Sequence, residues 1–553
     1  MSPRRTHIAA ACLALCRALA APAGTSPDGE EGDTPFPEEG DAAAAEARLA
    51  DRLPKGRLEV RWRSVVRGAE GVQLYEQADW EPFPGVAAHL LAERDPGERR
   101  WADFASGYAA WRAGRGQVVL GHLRPAFGQG LVFGRGGSRG SSGIAPQRDR
   151  WQPGYRSSAE NGAVSGVLAA LHRGGASAAV LAARLVWDGR VDEGGTITSL
   201  PESGSHVSPA EEASRDRLRG AAVGGCVRYA GPRGGGGAQV LGVHLGHQLD
   251  LRRPDRVAWA FHGRHHWLAS ADLRWQGEGQ VAYGEAAVDG GGRLAGLAGL
   301  SAGSGPLRLA GAAWRYPPGW HSFLGGAAGA SDTGNEAGAR LEAAGRGWRA
   351  YAAQDRSLQP VFTDPLPEAN RTWGAQLDQR LWGAWRGRVA AQARSGSSWS
   401  GGARQRESSR SGRLELERSR GQARWRLRLE GRAARSGGRT HGGTLAAAAW
   451  RLRRPGGELA LHVSGFCAPA WAARVYEYES NLPGAVSIPA LYGRGWRAYG
   501  IARRRWGSTW VGLRCRRLSS RGSPPRWELS LQVDASAGSS PDGPRPGDAP
   551  GSD

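Results

Sequence analysis

Apolar and polar residues alternate along this chain from about Leu58 to Val533. A period of two marks β-strands, because successive side chains project to opposite faces. The alternating segments run about 8–12 residues, and clusters of Gly, Ser, Pro and Asp between them read as turns and loops.

The clearest case is "SGRLELERSRGQARWRLRLEGRAARSGG", residues 411–438. Arg424, Arg426, Arg428, Glu415 and Glu417 share one face, and Leu414, Leu416, Trp425 and Leu427 share the other. A two-residue turn at Arg420-Gly421 predicts Glu417 opposite Arg424 and Glu415 opposite Arg426, with Leu416 opposite Trp425 and Leu414 opposite Leu427. Opposed charges add about 0.2–1 kcal/mol per pair. A soluble sandwich would turn the charged face to water, whereas a membrane barrel would turn it to an enclosed lumen.

"RVAWAFHGRHHWLASADLRWQ" repeats the theme. Val257, Trp259 and Phe261 are expected on one face of a first strand. After a turn, Trp267, Ala269, Ala271, Leu273 and Trp275 share a face. Trp267 and Trp275 stand at the two ends of an apolar run, the spacing of aromatic girdles at two membrane interfaces. Such segments number about 22–26, which predicts an all-β fold: a large antiparallel transmembrane β-barrel of about 24 strands. Long loops are expected at 134–159, 188–218, 357–371, 396–410 and 466–495.

Composition sharpens this picture in a few places. The chain has 553 residues, too many for one ordinary soluble core, with 86 Gly, 23 Trp and a net charge of +21. Arginine almost to the exclusion of lysine reads as GC-rich codon usage and carries little functional weight. Residues 1–23 read as a signal peptide, 24–56 as an acidic flexible leader, 57–534 as the barrel and 535–553 as a disordered tail. Beyond the signal no apolar run is long enough for a transmembrane helix, and transmembrane strands escape such a search. Cys226, Cys467 and Cys515 form neither a disulfide framework nor a metal-ligand spacing.

Three blocks add a resemblance. The first, at 91–136, carries Asp95, Gly97 and Glu98, then Gly121 and Phe127-Gly128-Gln129-Gly130-Leu131. The second, at 155–171, carries Ser158-x-Glu160-Asn161. The third, at 475–506, carries Tyr476-Glu477-Tyr478-Glu479, Leu482-Pro483-Gly484 and Tyr492-Gly493-x-Gly495. Together they resemble a group of predicted outer-membrane β-barrels of Gram-negative bacteria, many with a helix-hairpin-helix domain ahead of the barrel. The resemblance implies a fold and an outer-membrane location but no activity. Residues 24–56 lack a Gly-x-Gly hairpin between short helices, so that domain, and any nucleic-acid role tied to it, is not expected.

Candidate chemistry is sparse. "FGQGLVFGRGGSRG" lacks the Lys-Ser/Thr of a P-loop and reads as a strand end whose glycines allow close packing. His244 and His247 would face opposite sides of a strand, and His262, Arg264 and His266 are placed at a turn beside a cation, so no metal site is expected. Ser157, Ser158, Glu160 and Asn161 lack a nucleophile elbow, and Glu160 and Asn161 are expected to pair inside the lumen. Tyr476, Glu477, Tyr478, Glu479, Pro483 and Tyr492 mark a functional loop expected to pack into the lumen, its acids meeting lumen arginines. Arginines and aromatics lie on opposite strand faces, which disfavours a nucleic-acid stacking groove. The expected function is a non-enzymatic, porin-like pore or transport barrel with an arginine-rich, anion-preferring lumen and no cofactor. Its partners would be outer-membrane lipid, anionic solutes or a periplasmic protein. The alternatives are a structural or assembly scaffold, and a nucleic-acid-associated uptake or binding protein.

Overall fold

The computed structural model describes residues 56–134, 145–201, 204–252, 257–329, 334–400 and 402–538. The expected signal peptide, nearly all of the leader and most of the tail lie outside these residues.

Twenty-four antiparallel strands form one closed barrel. The first eight are β1 (Arg57–Val66), β2 (Val72–Glu81), β3 (Val86–Arg94), β4 (Phe104–Ala113), β5 (Gly116–Leu123), β6 (Val164–Arg173), β7 (Ala176–Trp187) and β8 (Leu218–Gly231). Then follow β9 (Gly234–Asp250), β10 (His262–Gly277), β11 (Gln280–Asp289), β12 (Leu294–Ser304), β13 (Leu307–Tyr316), β14 (Glu336–Gly345), β15 (Trp348–Ser357) and β16 (Ala369–Arg380). The last are β17 (Trp385–Ser400), β18 (Ala403–Arg420), β19 (Ala423–Ser436), β20 (Arg439–Arg454), β21 (Gly457–Ala468), β22 (Gly493–Trp506), β23 (Thr509–Ser520) and β24 (Arg526–Ala537). Each barrel strand pairs with its neighbours in sequence, and β1 closes on β24, from Leu58 opposite Ala537 to Val66 opposite Leu529. A closed sheet leaves no unpaired edge, which is what allows strands to cross an apolar medium.

The two mouths differ. One is built of tight connections such as 114–115, 174–175, 278–279, 421–422 and 507–508, and both ends of the barrel chain emerge there. The other carries every long connection: 124–163, 188–217, 251–261, 317–335, 358–368 and 469–492. The expected loop at 396–410 is instead regular hairpin, because the alternation runs on through Arg404, Arg406 and Arg410 on β18. Val257, Trp259 and Phe261 belong to a connection and not to a strand, and Trp259 Nε1 donates to the Pro360 carbonyl at 3.0 Å. His262, Arg264 and His266, expected at a turn, lie within β10, whose own pairing with β9 resumes at His262. β24 runs to Ala537, three positions past the expected end of the barrel.

Polarity is inverted relative to a soluble domain. Leu90, Val180, Leu273, Leu341, Trp425, Leu427 and Leu429 are exposed on the outer wall, while Asp79, Asp272, Glu285, Arg340, Arg497 and Arg514 are buried against the interior. In the 411–438 hairpin the faces are as expected but the register is not. Arg420 pairs with Ala423, so Glu417 stands opposite Arg426, Glu415 opposite Arg428, Leu416 opposite Leu427 and Leu414 opposite Leu429. The turn is Gly421-Gln422, because Gly421 takes φ +55° and so serves as the first central residue of a tight hairpin. The two-residue shift preserves every face.

Candidate functional site: segments folded into the lumen

Long connections fold inward and line two sectors of the interior. The first sector is covered by residues 124–134 and 317–329. Phe127, Leu131, Phe133, Phe323 and Leu324 pack on Val119, Leu168, Leu181 and Leu241 of the inner wall, forming an apolar core. Arg124 ties this body together by donating to the carbonyls of Gly134, Gly162 and Gly325 at 3.0, 2.7 and 2.8 Å. Glu285 on β11 accepts from the backbone of Gln129 at 2.6 Å and from the Ser270 hydroxyl at 2.7 Å. The glycine-rich block at 127–134 is therefore an infolded segment and not a strand end. Its glycines permit a backbone-to-backbone approach, since a Cβ on Gly134 would collide with the backbone nitrogen of Gly326.

The second sector holds a finger, residues 469–492. Val475 pairs with Leu491 and Tyr476 with Ala490, a bridge joins Glu479 to Ser487, and Gly484 turns the tip at φ +75°. Near the open mouth, Val475 and Leu491 pack on Leu445 and Phe466. Deeper, Leu482 packs on Ala460, Tyr499 and Ile501, and the Pro483 carbonyl accepts from Gln532 at 3.1 Å. Gly512, beside Leu482, is three positions from the tight-turn end of β23, so the finger descends most of the barrel's height.

Charge fixes the finger laterally. Glu477 bonds to Arg497, to Ser464 Oγ at 2.8 Å and to His462 Nε2 at 2.9 Å. Glu479 pairs with Arg497 and Arg514 at 2.7 Å each, and with Arg516 at 3.2 Å. Arg428 donates to the Tyr476 carbonyl at 2.7 Å and pairs with Glu430 at 2.5 Å and Glu415 at 3.9 Å. Burial works to raise the Glu477 carboxyl, but the His462 hydrogen bond and the Arg497 charge hold it down at about 2.

Of the residues singled out in this loop, Tyr476, Glu477, Glu479 and Pro483 are brought together inside. Tyr478 is half-buried, and Tyr492 is exposed at the rim against Trp471, with ring centroids 5.0 Å apart. Among the expected lumen residues, Arg428 and Glu415 are buried. Arg424 and Arg426 sit nearer the tight-turn mouth and share Glu417, Arg426 at 3.7 Å. Leu414, Trp425, Leu427, Trp267 and Trp275 are exposed on the opposite face, and Leu416 is half-buried there.

Sequence reasoning missed one cluster. Asp95, Glu98, Asp103 and Glu160 line a cavity of about 330 Å³ at the long-loop mouth. His206, from the 188–217 connection, binds there. Its Nε2 lies 2.9 Å from Asp188, its Nδ1 meets Asp103, and its backbone N–H donates to Glu98 at 3.1 Å. Burial, with Asp188 alongside, pushes the Glu160 carboxyl up to about 9. Asn161 bonds the Pro201 carbonyl at 2.6 Å and the Asp188 amide at 2.9 Å, so it staples two connections together and does not pair with Glu160. Ligand atoms of Glu98, Asp103 and His206, and of Glu160, Asp188 and His206, lie within 4.8 Å of one another. Both imidazole nitrogens are already engaged by carboxylates, so the set works as an internal bridge. Asp95, Glu98 and Glu160 belong to the blocks quoted above, but nothing in those blocks points to His206.

No family model and no curated sequence matches the chain. Among solved structures it is similar to Pseudomonas aeruginosa OccK11, at 12% identity over 88% of this chain and 98% of that one, TM-score 0.29. It is also similar to a BenF-like porin from Pseudomonas fluorescens Pf-5, at 10% identity over 87% and 97%, TM-score 0.32. A third is the P pilus usher PapC translocation pore, at 9% identity over 88% and 100%, TM-score 0.35. At such identities and scores, function has to be argued from the chain's own geometry.

Proposed function

We propose that this chain is a pore or transport barrel of a Gram-negative outer membrane, non-enzymatic, with a lumen narrowed by its own folded-in segments. One observation carries the reading: a closed barrel whose wall midway between the mouths is apolar outside and carries its charged residues inside. In water such a wall would be a large aggregation surface, whereas in a bilayer it is matched to its solvent. Short turns with the chain ends at one mouth and long connections at the other suit a periplasmic and an external end respectively.

The permeant class follows from the unbalanced charge. Arg424 and Arg426 share the single carboxylate of Glu417, which leaves a surplus cation near the tight-turn mouth and favours anionic solutes. In planar bilayers under a salt gradient, the reversal potential is expected to favour anions, and changing both arginines to Glu is expected to move it toward cations. Cation preference in the intact protein would overturn the reading. Deleting 477–490 is expected to raise single-channel conductance; unchanged conductance would show that the finger does not limit passage.

The bonds that hold the finger support a second reading, a closed scaffold that grips a periplasmic or surface partner. No conductance from either the full chain or the deletion, together with a co-purifying protein, would favour it.

A further inference from the structure

We infer that the outer wall carries a binding surface for a phosphate-bearing lipid headgroup, on strands β16–β19 at the long-loop end. The inference rests on the membrane reading above and adds to it a lipid class and a place.

The surface follows from register. Arg371, Ser395, Ser408 and Arg435 stand opposite one another in a single row across four strands. One pair further toward the mouth, Arg406 stands opposite Ser397, and one pair the other way Arg410 stands opposite Ala393 and Ala433. All belong to the same face as Leu414 and Leu429, so the guanidinium groups point outward. Arg435 lies diagonal to both Arg406 and Arg410, roughly 7–8 Å between backbones. The result is four arginines around a floor of small hydroxyl residues.

Nothing on that face neutralises them. Arg371 donates to the neutral Gln354 at 3.1 Å. Glu407, the nearest acid in sequence, points inward and bonds Ser398 at 2.7 Å and Ser436 at 3.2 Å. Among the described residues, Arg406, Arg410 and Arg435 meet no carboxylate within salt-bridge reach, and all three are exposed.

Their height identifies the partner. Along β19 the outward face runs Trp425, Leu427, Leu429, Gly431, Ala433 and then Arg435. At about 3.3 Å per residue and a tilt of about 40°, Arg435 stands about 25 Å above the girdle of Trp425 and Trp450. That is the thickness of the apolar band, so the arginines meet the opposite interface at headgroup level. Side chains deeper in the band would face only acyl chains, and side chains well above it would face water. Planar guanidinium groups bind phosphate by paired N–H donors, and several of them around hydroxyls suit a headgroup bearing more than one phosphate.

The test uses the full chain, refolded into detergent and reconstituted in nanodiscs of phosphatidylcholine containing a minor fraction of diphosphorylated lipid A. Native mass spectrometry after detergent release reads the lipid retained. Wild type is expected to retain the phosphorylated lipid, and Arg406→Gln/Arg410→Gln/Arg435→Gln is expected to retain roughly tenfold less or lower, as interfacial arginines contribute additively. The triple Arg→Lys variant should recover much of the loss, and heat-modifiable gel mobility should be the same for all three proteins. Equal retention by wild type and the Gln variant overturns the proposal and leaves the barrel reading intact, whereas failure of the wild type to enter a bilayer overturns both. Displacement of the lipid by millimolar inorganic phosphate overturns it in favour of a site for free phosphate. Retention of RNA or a protein in place of lipid overturns it in favour of another partner.

Discussion

Arg497 is among the most enclosed side chains of the barrel, and it serves two carboxylates of the finger at once. Replacing it by Leu would leave Glu477 and Glu479 short of a cation in a dry place, at a cost of about 3–5 kcal/mol. The expected outcome is a lower temperature for the heat-modifiable mobility shift and faster proteolysis of 469–492. Two carboxyls respond to pH in opposite senses. Glu477 is held below its ordinary value, so its contribution is present above about pH 4.5 and is lost only as pH falls toward about 2. Titration of Glu477 should therefore not unseat the finger between pH 5 and 9. Glu160 is held above its ordinary value. From about pH 4.5 up to about 9 the unfolded carboxyl ionises while the folded one keeps its proton, so stability around it erodes as pH rises. Tryptic cleavage at the exposed Arg190 and Arg217 should be faster at pH 9 than at pH 6. With rates normalised at each pH to cleavage of an unstructured reference peptide, Glu160→Gln should abolish that difference; a normalised difference that persists would remove Glu160 as its cause. Little of this residue-scale detail was legible in the sequence. Glu477 and Glu479 could be recognised as acids awaiting arginines, because an elaborate loop beside basic strands needs partners. His206 could not, because Asp103 and Asp188 reach it from two other connections and no short spacing encodes that meeting.

At the scale of elements, alternation told the faces but not the register. Leu414 and Leu427 face outward under either pairing, since a shift of two residues returns each side chain to its own side. Only the positive φ demanded of Gly421 separates the two pairings. The same logic explains why 396–410 reads as a loop: it is rich in serine, glycine and arginine, with only Trp399 and Ala403 apolar, yet it continues β17 and β18 to the long-loop mouth. The fate of 124–134 was hidden for a different reason. Whether Phe127 and Phe133 bury themselves in the lumen depends on an inner wall contributed by strands far along the chain. A face prediction can be tested by charge. Leu429→Arg puts a cation near the middle of the apolar band and is expected to destabilise the barrel by about 2–4 kcal/mol, read as a lowered mobility-shift temperature. Arg424→Gln, two pairs from the mouth on the other face, should leave that temperature unchanged. Equal effects from the two substitutions would contradict the assignment of inside and outside.

The strand count was legible for the whole molecule, because about 22–26 alternating segments could be counted along the chain, and the barrel closes with a number inside that range. Closure also has a temporal side. The seam joins the first barrel strand to the last, and until Arg526–Ala537 is in place β1 has no partner on its outer flank. Until that strand docks the sheet is an open ribbon with two raw flanks, each able to pair with the wrong neighbour. Removing 526–537 should therefore cost far more than one strand's share of bonds, leaving a product that never acquires heat-modifiable mobility. The final dozen residues of the barrel act as its clasp.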